Sequence, residues 1–263
     1  MKLLEARNLS VRAGPEWACA GLDFSVSAGE RWGILGVNGS GKTSLLHTLC
    51  GLRAPDRGEV LLKGVPLSQL KRREAAKIAG ILFQDVQDVF PSTVLETVLA
   101  GRHPHLDPWR GETGRDFEIA RAALREAGLS GMEARLSSTL SGGERRRLAI
   151  AALLAQDPEL YLLDEPTNHL DIRHQVGMLD CLASRAAQPG KALVMILHDP
   201  GLAQRYCDRL LLLFEGGRTL CGRCEDILNE ENLSALYRFP MVSIDTPLGR
   251  LFAPALRPRR PPA

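Results

Sequence analysis

Gly36-Val37-Asn38-Gly39-Ser40-Gly41-Lys42-Thr43 decides the reading of this chain. Every fixed position of the phosphate-binding pattern G-x-x-x-x-G-K-[ST] is present. The apolar run Trp32 to Leu35 before it reads as a strand, and Ser44-Leu45-Leu46-His47-Thr48-Leu49 after it reads as a helix. Glycines let successive backbone N–H groups turn inward on a phosphate with no Cβ in the way. The N-terminus of the following helix adds partial positive charge. The pattern assigns Gly36, Val37, Asn38, Gly39, Ser40, Gly41, Lys42, Thr43 and Ser44 to nucleotide binding. Lys42 is expected to reach the β- and γ-phosphates, and the Thr43 hydroxyl to ligate Mg²⁺. A nucleoside triphosphate is the expected ligand.

A second element points the same way. Leu160-Tyr161-Leu162-Leu163 reads as a buried strand that delivers Asp164 and Glu165 at its C-terminal end, where open parallel sheets bind their ligands. Asp164 is expected to hold Mg²⁺, directly or through water, and Glu165 to polarise an attacking water.

The bulk properties narrow the class. A chain of 263 residues, 44% of them hydrophobic, holds one large α/β domain or two small ones with a substantial core. A net charge of +2 argues against a dedicated nucleic-acid binder, and 5% aromatics leave no stacking platform for bases. The six cysteines show no disulfide framework. Cys221-Gly222-Arg223-Cys224 has no second pair to complete a tetrahedral zinc site and reads as plain thiols near a turn. Met1 to Arg7 meets charge too early for a signal peptide, and no apolar run approaches the ~20 residues of a membrane span. The expectation is a soluble cytoplasmic chain that meets a membrane only through a partner.

Along the chain, residues 2–12 and 22–28 read as strands with Gly14-Pro15 in the loop between them, followed by a buried strand 31–35. A helix is expected over 44–51, a strand over 59–63, a basic helical face over 69–77, and a strand from Ile78 to Phe83 ending at Gln84. Between about 90 and 155 the character turns helical, with periodicity over 118–127 and 144–155. Strands 160–163, 192–197 and 210–214 and a helix over 172–187 follow. The proline-rich basic end, Leu256 to Ala263, is expected to be disordered.

Further segments resemble the ABC ATPase family. Leu140-Ser141-Gly142-Gly143-Glu144-Arg145-Arg146-Arg147 resembles its signature motif, and Asp164-Glu165-Pro166-Thr167-Asn168-His169-Leu170-Asp171 its Walker B and D-loop. Gln84 matches the Q-loop glutamine and His198, after Val194 to Leu197, the switch histidine. The resemblance covers about residues 2–240. It implies an α/β fold: a P-loop NTPase core with an N-terminal antiparallel β subdomain and a helical subdomain inserted over about 90–155. Residues 241–263 then form a C-terminal extension.

The resemblance also implies ATP and Mg²⁺ as ligands, with Thr43, Gln84 and Asp164 around the metal and Glu165, His198 and Lys42 as catalytic groups. Two copies would form a head-to-tail homodimer in which Ser141, Gly142, Gly143 and Glu144 of one contact the ATP of the other, with Asp171 across the interface. His198 would sense the γ-phosphate, a two-state element biased by one group. ABC ATPases usually carry an aromatic residue on adenine near position 13; here Ala13 stands there, and Trp17, four residues on in a loop, is the replacement, an ordinary half-buried tryptophan being the alternative.

Gly101-Arg102-His103-Pro104-His105 looks like the G-R-x-P-H segment of ATPases serving iron-siderophore, haem and cobalamin importers. That implies a pair of transmembrane permease subunits, a substrate-binding protein, and a place at the cytoplasmic face of the membrane. An oxyanion (molybdate-type) importer shares much of the pattern. A non-transport ABC ATPase working with soluble iron–sulfur cluster assembly partners is the main alternative. Translation-factor members need two tandem domains and DNA-repair members a long heptad insertion, and neither fits this chain.

Overall fold

The computed structural model describes residues 1–84, 91–107, 109–168, 170–247 and 249–255. The chain opens with strands β1 (Lys2–Ala13), β2 (Glu16–Ser27) and β3 (Arg31–Gly36), then helix α1 (Lys42–Leu49), strands β4 (Arg57–Leu62) and β5 (Val65–Pro66), helix α2 (Arg72–Ile78) and strand β6 (Ala79–Leu82). Helices α3 (Val94–Ala100), α4 (Gly114–Glu126) and α5 (Gly142–Gln156) follow. Strand β7 (Leu160–Leu163), α6 (Ile172–Ala186), β8 (Ala192–Ile196), α7 (Pro200–Tyr206), β9 (Arg209–Leu213) and β10 (Thr219–Arg223) complete the core. Helices α8 (Cys224–Ile227) and α9 (Glu230–Tyr237) lead to a hairpin of β11 (Met241–Thr246) and β12 (Gly249–Pro254).

Two sheets carry the fold. One is antiparallel, in the order β2-β1-β4-β5; the other runs β10-β9-β3-β8-β7-β6, parallel except where β10 pairs antiparallel with β9. This is the α/β architecture expected from the sequence. The central parallel strands are buried on both faces, as such strands must be when layers cover each side. Leu160 and Leu162 of β7, Val194 and Ile196 of β8 and Ile34 of β3 face α1 and the antiparallel sheet. Tyr161, Leu163, Leu193, Met195 and Leu35 alternate to the opposite face, against α4, α5 and α6.

Several expectations about local structure change. Trp17 lies in strand β2 rather than in a loop, because the Gly14-Pro15 turn is tight and Ala13 already pairs with Glu16. Helix α3 is additional to the helices expected from periodicity; its seven residues start at the capping box Thr93-x-x-Glu96. Helices α4 and α5 begin four and two residues earlier than their apolar periodicity, at Thr113 and Ser141 capping boxes. The C-terminal extension carries the β11–β12 hairpin; its last residues, 256–263, lie outside the described residues, as does His169. All six cysteines are free. No helix among the described residues is long and apolar enough to cross a membrane.

The G-R-x-P-H segment forms a joint between helices. A Cβ on Gly101 would stand 2.2 Å from the Ala152 carbonyl oxygen, so glycine lets the end of α3 close on α5. Pro104 is buried. The Arg102 guanidinium donates to Asp116 Oδ1 (3.0 Å) at the start of α4 and to the Ala155 carbonyl (2.7 Å) at the end of α5. Asp116 also accepts from the Thr113 hydroxyl (2.7 Å) and amide (3.0 Å). Thr113 first, and Arg102 with it, hold the Asp116 carboxyl down to about 2 against burial.

Removing one partner of a buried ion pair strands the other charge. Asp116→Ala is expected to destabilise the chain by about 3–5 kcal/mol. Because the folded pKa, about 2, lies below the ordinary 3.8, roughly 2.5 kcal/mol of this contribution depends on pH: it is complete above about pH 4 and fades as pH falls toward about 2. Thermal melts of both proteins across pH 2–7 check this: the gap in melting temperature should narrow only in the acid window.

Candidate functional site

The sequence-predicted residues converge at the C-terminal edge of the parallel sheet. Gly36 ends β3, Gln84 follows β6, Asp164 and Glu165 follow β7, and His198 follows β8. The P-loop bridges β3 to α1, with Gly41 as the N-cap of α1 at φ +88°. A Cβ on Gly41 would lie 2.3 Å from the Ala18 Cβ and 2.8 Å from the Ala13 Cβ. Both the left-handed backbone and this close approach of β1 and β2 demand glycine there. Lys42 is buried, and its Nζ donates to the carbonyls of Gly36 (2.9 Å) and Val37 (3.0 Å). Burial lowers its pKa, while the charges of Glu165 and Asp164 pull it back up.

Asp164 is fully buried, and neither carboxylate oxygen meets a hydrogen-bond partner among the described residues. The third such orphan among the described residues is Ser40 Oγ, in the P-loop. Burial pushes the Asp164 carboxyl above its ordinary range; the nearby Thr43 hydroxyl pulls the other way without reaching hydrogen-bond geometry. Buried polar atoms are normally satisfied. An unpartnered carboxylate beside a hydroxyl is a donor set that suits Mg²⁺, a hard cation that takes oxygen ligands.

Glu165 is in the opposite situation. It sits in the left-handed region at φ +48°, and its carboxylate accepts from His198 Nε2 (2.5 Å), Gln84 Nε2 (3.1 Å) and the Asn168 side-chain amide. Burial alone would raise its pKa, but the hydrogen bond and charge of His198, with Asn168 and Lys42, bring it below the ordinary value. The Gln84 amide oxygen is left as an acceptor for another ligand.

Two adjoining clefts flank the P-loop. One, about 300 Å³, is lined by Lys42, Thr43, Ser44, Gln84 and Glu165 with Asn38 and Gly39. The other, about 440 Å³, shares Ala13, Asn38 and Gly39 and extends to Trp17, Phe214 and Glu215. The Arg12 guanidinium lies 4.6 Å from the centre of the Trp17 ring.

The signature and D-loop residues stand apart from this cluster. Ser141 caps α5, with Glu144 returning a 2.7 Å bond to the Ser141 amide, and Glu144 also pairs with Arg135 at 3.5 Å. Asp171 caps α6 and accepts from the amide and ring of His174, both at 2.9 Å. Among the described residues no hydrogen bond joins either segment to the P-loop of the same chain.

Residues 19–168 match the sequence profile of the ABC transporter family. The chain belongs to that family. It is an ABC ATPase, of the type whose ATP hydrolysis is coupled to transport. Among curated relatives, this ABC ATPase is similar to the hemin import ATP-binding protein HmuV of Gloeobacter violaceus, 39% identical over 236 residues, covering 87% of this chain and 85% of that protein. The HmuV protein of Pseudomonas putida is 40% identical over 240 residues, covering 89% and 92%. Among solved structures, a chain described as part of an inward-facing metal-chelate type ABC transporter superposes with a TM-score of 0.84 at 28% identity, covering 98% of this chain and 99% of that one. A dimeric ATP-binding cassette with ADP and Pi gives a TM-score of 0.73 at 26% identity, covering 84% and 99%.

Two residues inside the quoted motifs have contacts at the site that motif reading did not assign. Asn168 has a positional signal, since a turn brings the third residue after Glu165 back onto it: the Asn168 amide donates to the Glu165 carbonyl at 3.2 Å. Arg146 carries a helical one, sharing the buried stripe of α5 with Ile150 and Leu153.

The orphaned Asp164 carboxylate gives a direct test. Asp164→Asn removes a penalised charge while keeping the shape, so the nucleotide-free chain is expected to melt several degrees higher at pH 7 than the parent. Differential scanning calorimetry without nucleotide or Mg²⁺ checks this; a lower melting temperature would mean that the carboxylate is satisfied in the free protein.

Proposed function

We propose that this ABC ATPase is the ATP-hydrolysing subunit of an importer for a metal chelate, with haem the first candidate cargo. The observation that carries the catalytic part is the gathering of Lys42, Gln84, Asp164, Glu165 and His198 around the P-loop cleft. The cargo class draws support from relatives named for hemin import and from the metal-chelate type neighbour.

Each residue then has a task. The P-loop amides, with Ser40 and Ser44, cradle the phosphates, and Lys42 leaves the Gly36 and Val37 carbonyls to pair with them. Thr43, Gln84 and Asp164 hold Mg²⁺, which neutralises charge on the β- and γ-phosphates when bound. Glu165 orients and polarises the attacking water once nucleotide draws His198 from it toward the γ-phosphate. Trp17, at the far end of the second cleft, lies against the base. Ser141 to Glu144 meet the nucleotide of a second copy and Asp171 lies across the interface between the two, so each site is completed by a homodimer. Closure moves the helical subdomain and, through residues around 85–110 (of which 85–90 and 108 lie outside the described residues), a pair of permease subunits. The chain rests at the cytoplasmic face of the membrane through that permease, with a substrate-binding protein delivering the chelate.

Glu165→Gln is expected to bind ATP normally and lose at least about 100-fold in turnover. Tagged Glu165→Gln chain with ATP, added to detergent-solubilised membranes, should recover a polytopic permease whose partner binding protein takes up haem. Recovery of soluble scaffold proteins alone overturns the importer reading in favour of cluster assembly. Trp17→Ala is expected to weaken ATP binding about tenfold, read by titration with a fluorescent ATP analogue; unchanged affinity places the base elsewhere.

A further inference from the structure

We propose that Arg146 is a positioning residue for catalysis: it fixes the backbone that aims Glu165 and Gln84, and ties that backbone to the signature helix. This rests on the assignment of Glu165 as the water-activating carboxylate.

Arg146 lies in the second turn of α5 and is 4% exposed. Its guanidinium donates to carbonyls on two separate strand ends. Nη1 reaches Gln84 (3.1 Å) and Phe83, at the end of β6; Nη2 reaches Asp164 (2.5 Å) and Glu165 (2.6 Å), and Nε reaches Pro166 (3.2 Å), at the end of β7. A planar fork of five N–H donors suits so many acceptors, and lysine, with one ammonium, does not replace it.

What these carbonyls belong to gives the contact its meaning. Gln84 and Glu165 carry the side chains that meet at 3.1 Å in the cleft. Glu165 holds a left-handed backbone at φ +48°, a conformation disfavoured for a residue with a Cβ, so it persists only where neighbours over-determine it. Bonds to the carbonyls before, at and after Glu165 do that. The guanidinium charge also acts on the Asp164 carboxylate and favours its ionised form.

The same residue faces the other way along its helix. Three positions before it stands Gly143, in the first turn of α5 behind the exposed Ser141 and Gly142. An α-helix transmits axial displacement with little loss over one turn, because its backbone bonds run along the axis. A ligand that engages the first turn of α5 therefore acts through Arg146 on the backbone of Glu165 in the same chain.

The test compares Arg146→Met, Arg146→Gln and Arg146→Lys in the full chain by steady-state hydrolysis, ATP-analogue binding and thermal melts. Misaiming a reacting group by about 1 Å costs about 100-fold in rate, so Arg146→Met and Arg146→Gln are expected to lose that much in kcat with KM and Kd for ATP within about threefold. Arg146→Lys, which keeps the charge but not the fork, is expected to lose about tenfold. Because Arg146 acts through Glu165, adding Arg146→Met to Glu165→Gln should change the residual single-turnover rate by less than about twofold. If Arg146→Met does not fold, Arg146→Gln and Arg146→Lys carry the same comparison. Unchanged kcat, a parallel loss of ATP affinity, a loss that multiplies with that of Glu165→Gln, or failure of all three variants to fold each overturns the inference. A Glu165→Gln chain that hydrolyses ATP normally is a separate failure: it removes the assignment of Glu165 and this inference with it.

Discussion

Two adjacent carboxylates at the end of a fully buried strand are the constraint around which the molecule is arranged. Strand β7 offers no exposed residue, so Asp164 and Glu165 arrive where water is scarce and charge is costly. The chain answers differently for each. Glu165 turns out of the strand through a left-handed backbone and is met by His198, Gln84 and Asn168. Asp164 stays inside, unpartnered, with the P-loop hydroxyl and lysine nearby. Apart from Asn168, the groups around the pair come from four different elements: α1, the end of β6, α5, and the segment after β8. The six-stranded sheet is the frame that brings those ends to one edge.

The free protein is thus satisfied on the glutamate side and frustrated on the aspartate side. Lys42 is turned back onto its own loop, and the Glu165 carboxylate is engaged by the groups that a bound triphosphate would attract. Nucleotide entry exchanges one set of partners for another within an edge that is already assembled. Little backbone has to be ordered at that moment, which limits the entropic cost of binding.

The sequence exposed those parts whose geometry is set locally. The P-loop is legible because its glycines and lysine act within eight consecutive residues, and the Asp164-Glu165 pair because an apolar run of four precedes it. The true starts of α4 and α5 were legible only in their capping boxes, since the first turns carry too few apolar residues to show a period, and α3, though apolar at Val94, Leu95, Val98 and Leu99, is only seven residues long, too short a run for periodicity to decide. Trp17 was misplaced because Gly14-Pro15 reads as the middle of a loop, whereas the turn is so tight that Trp17 already pairs with Arg12 of β1. Strands β10, β11 and β12 pair with their neighbours along the chain but bury no residue fully, so no apolar run announces them, and Arg146 acts on carbonyls 18 to 63 residues away. The motifs identify the family; they do not say which residues hold the functional side chains in place.

The Arg102 joint has a mechanical meaning. One guanidinium fastens the end of α3, the start of α4 and the end of α5, and Gly101 lets two of these helices touch at the backbone. Such a joint removes the seam along which the helices would otherwise slide past one another. The helical layer then behaves as a stiff lever rather than a cushion. A push delivered at one end of it is felt at the nucleotide edge as displacement, not absorbed as rearrangement.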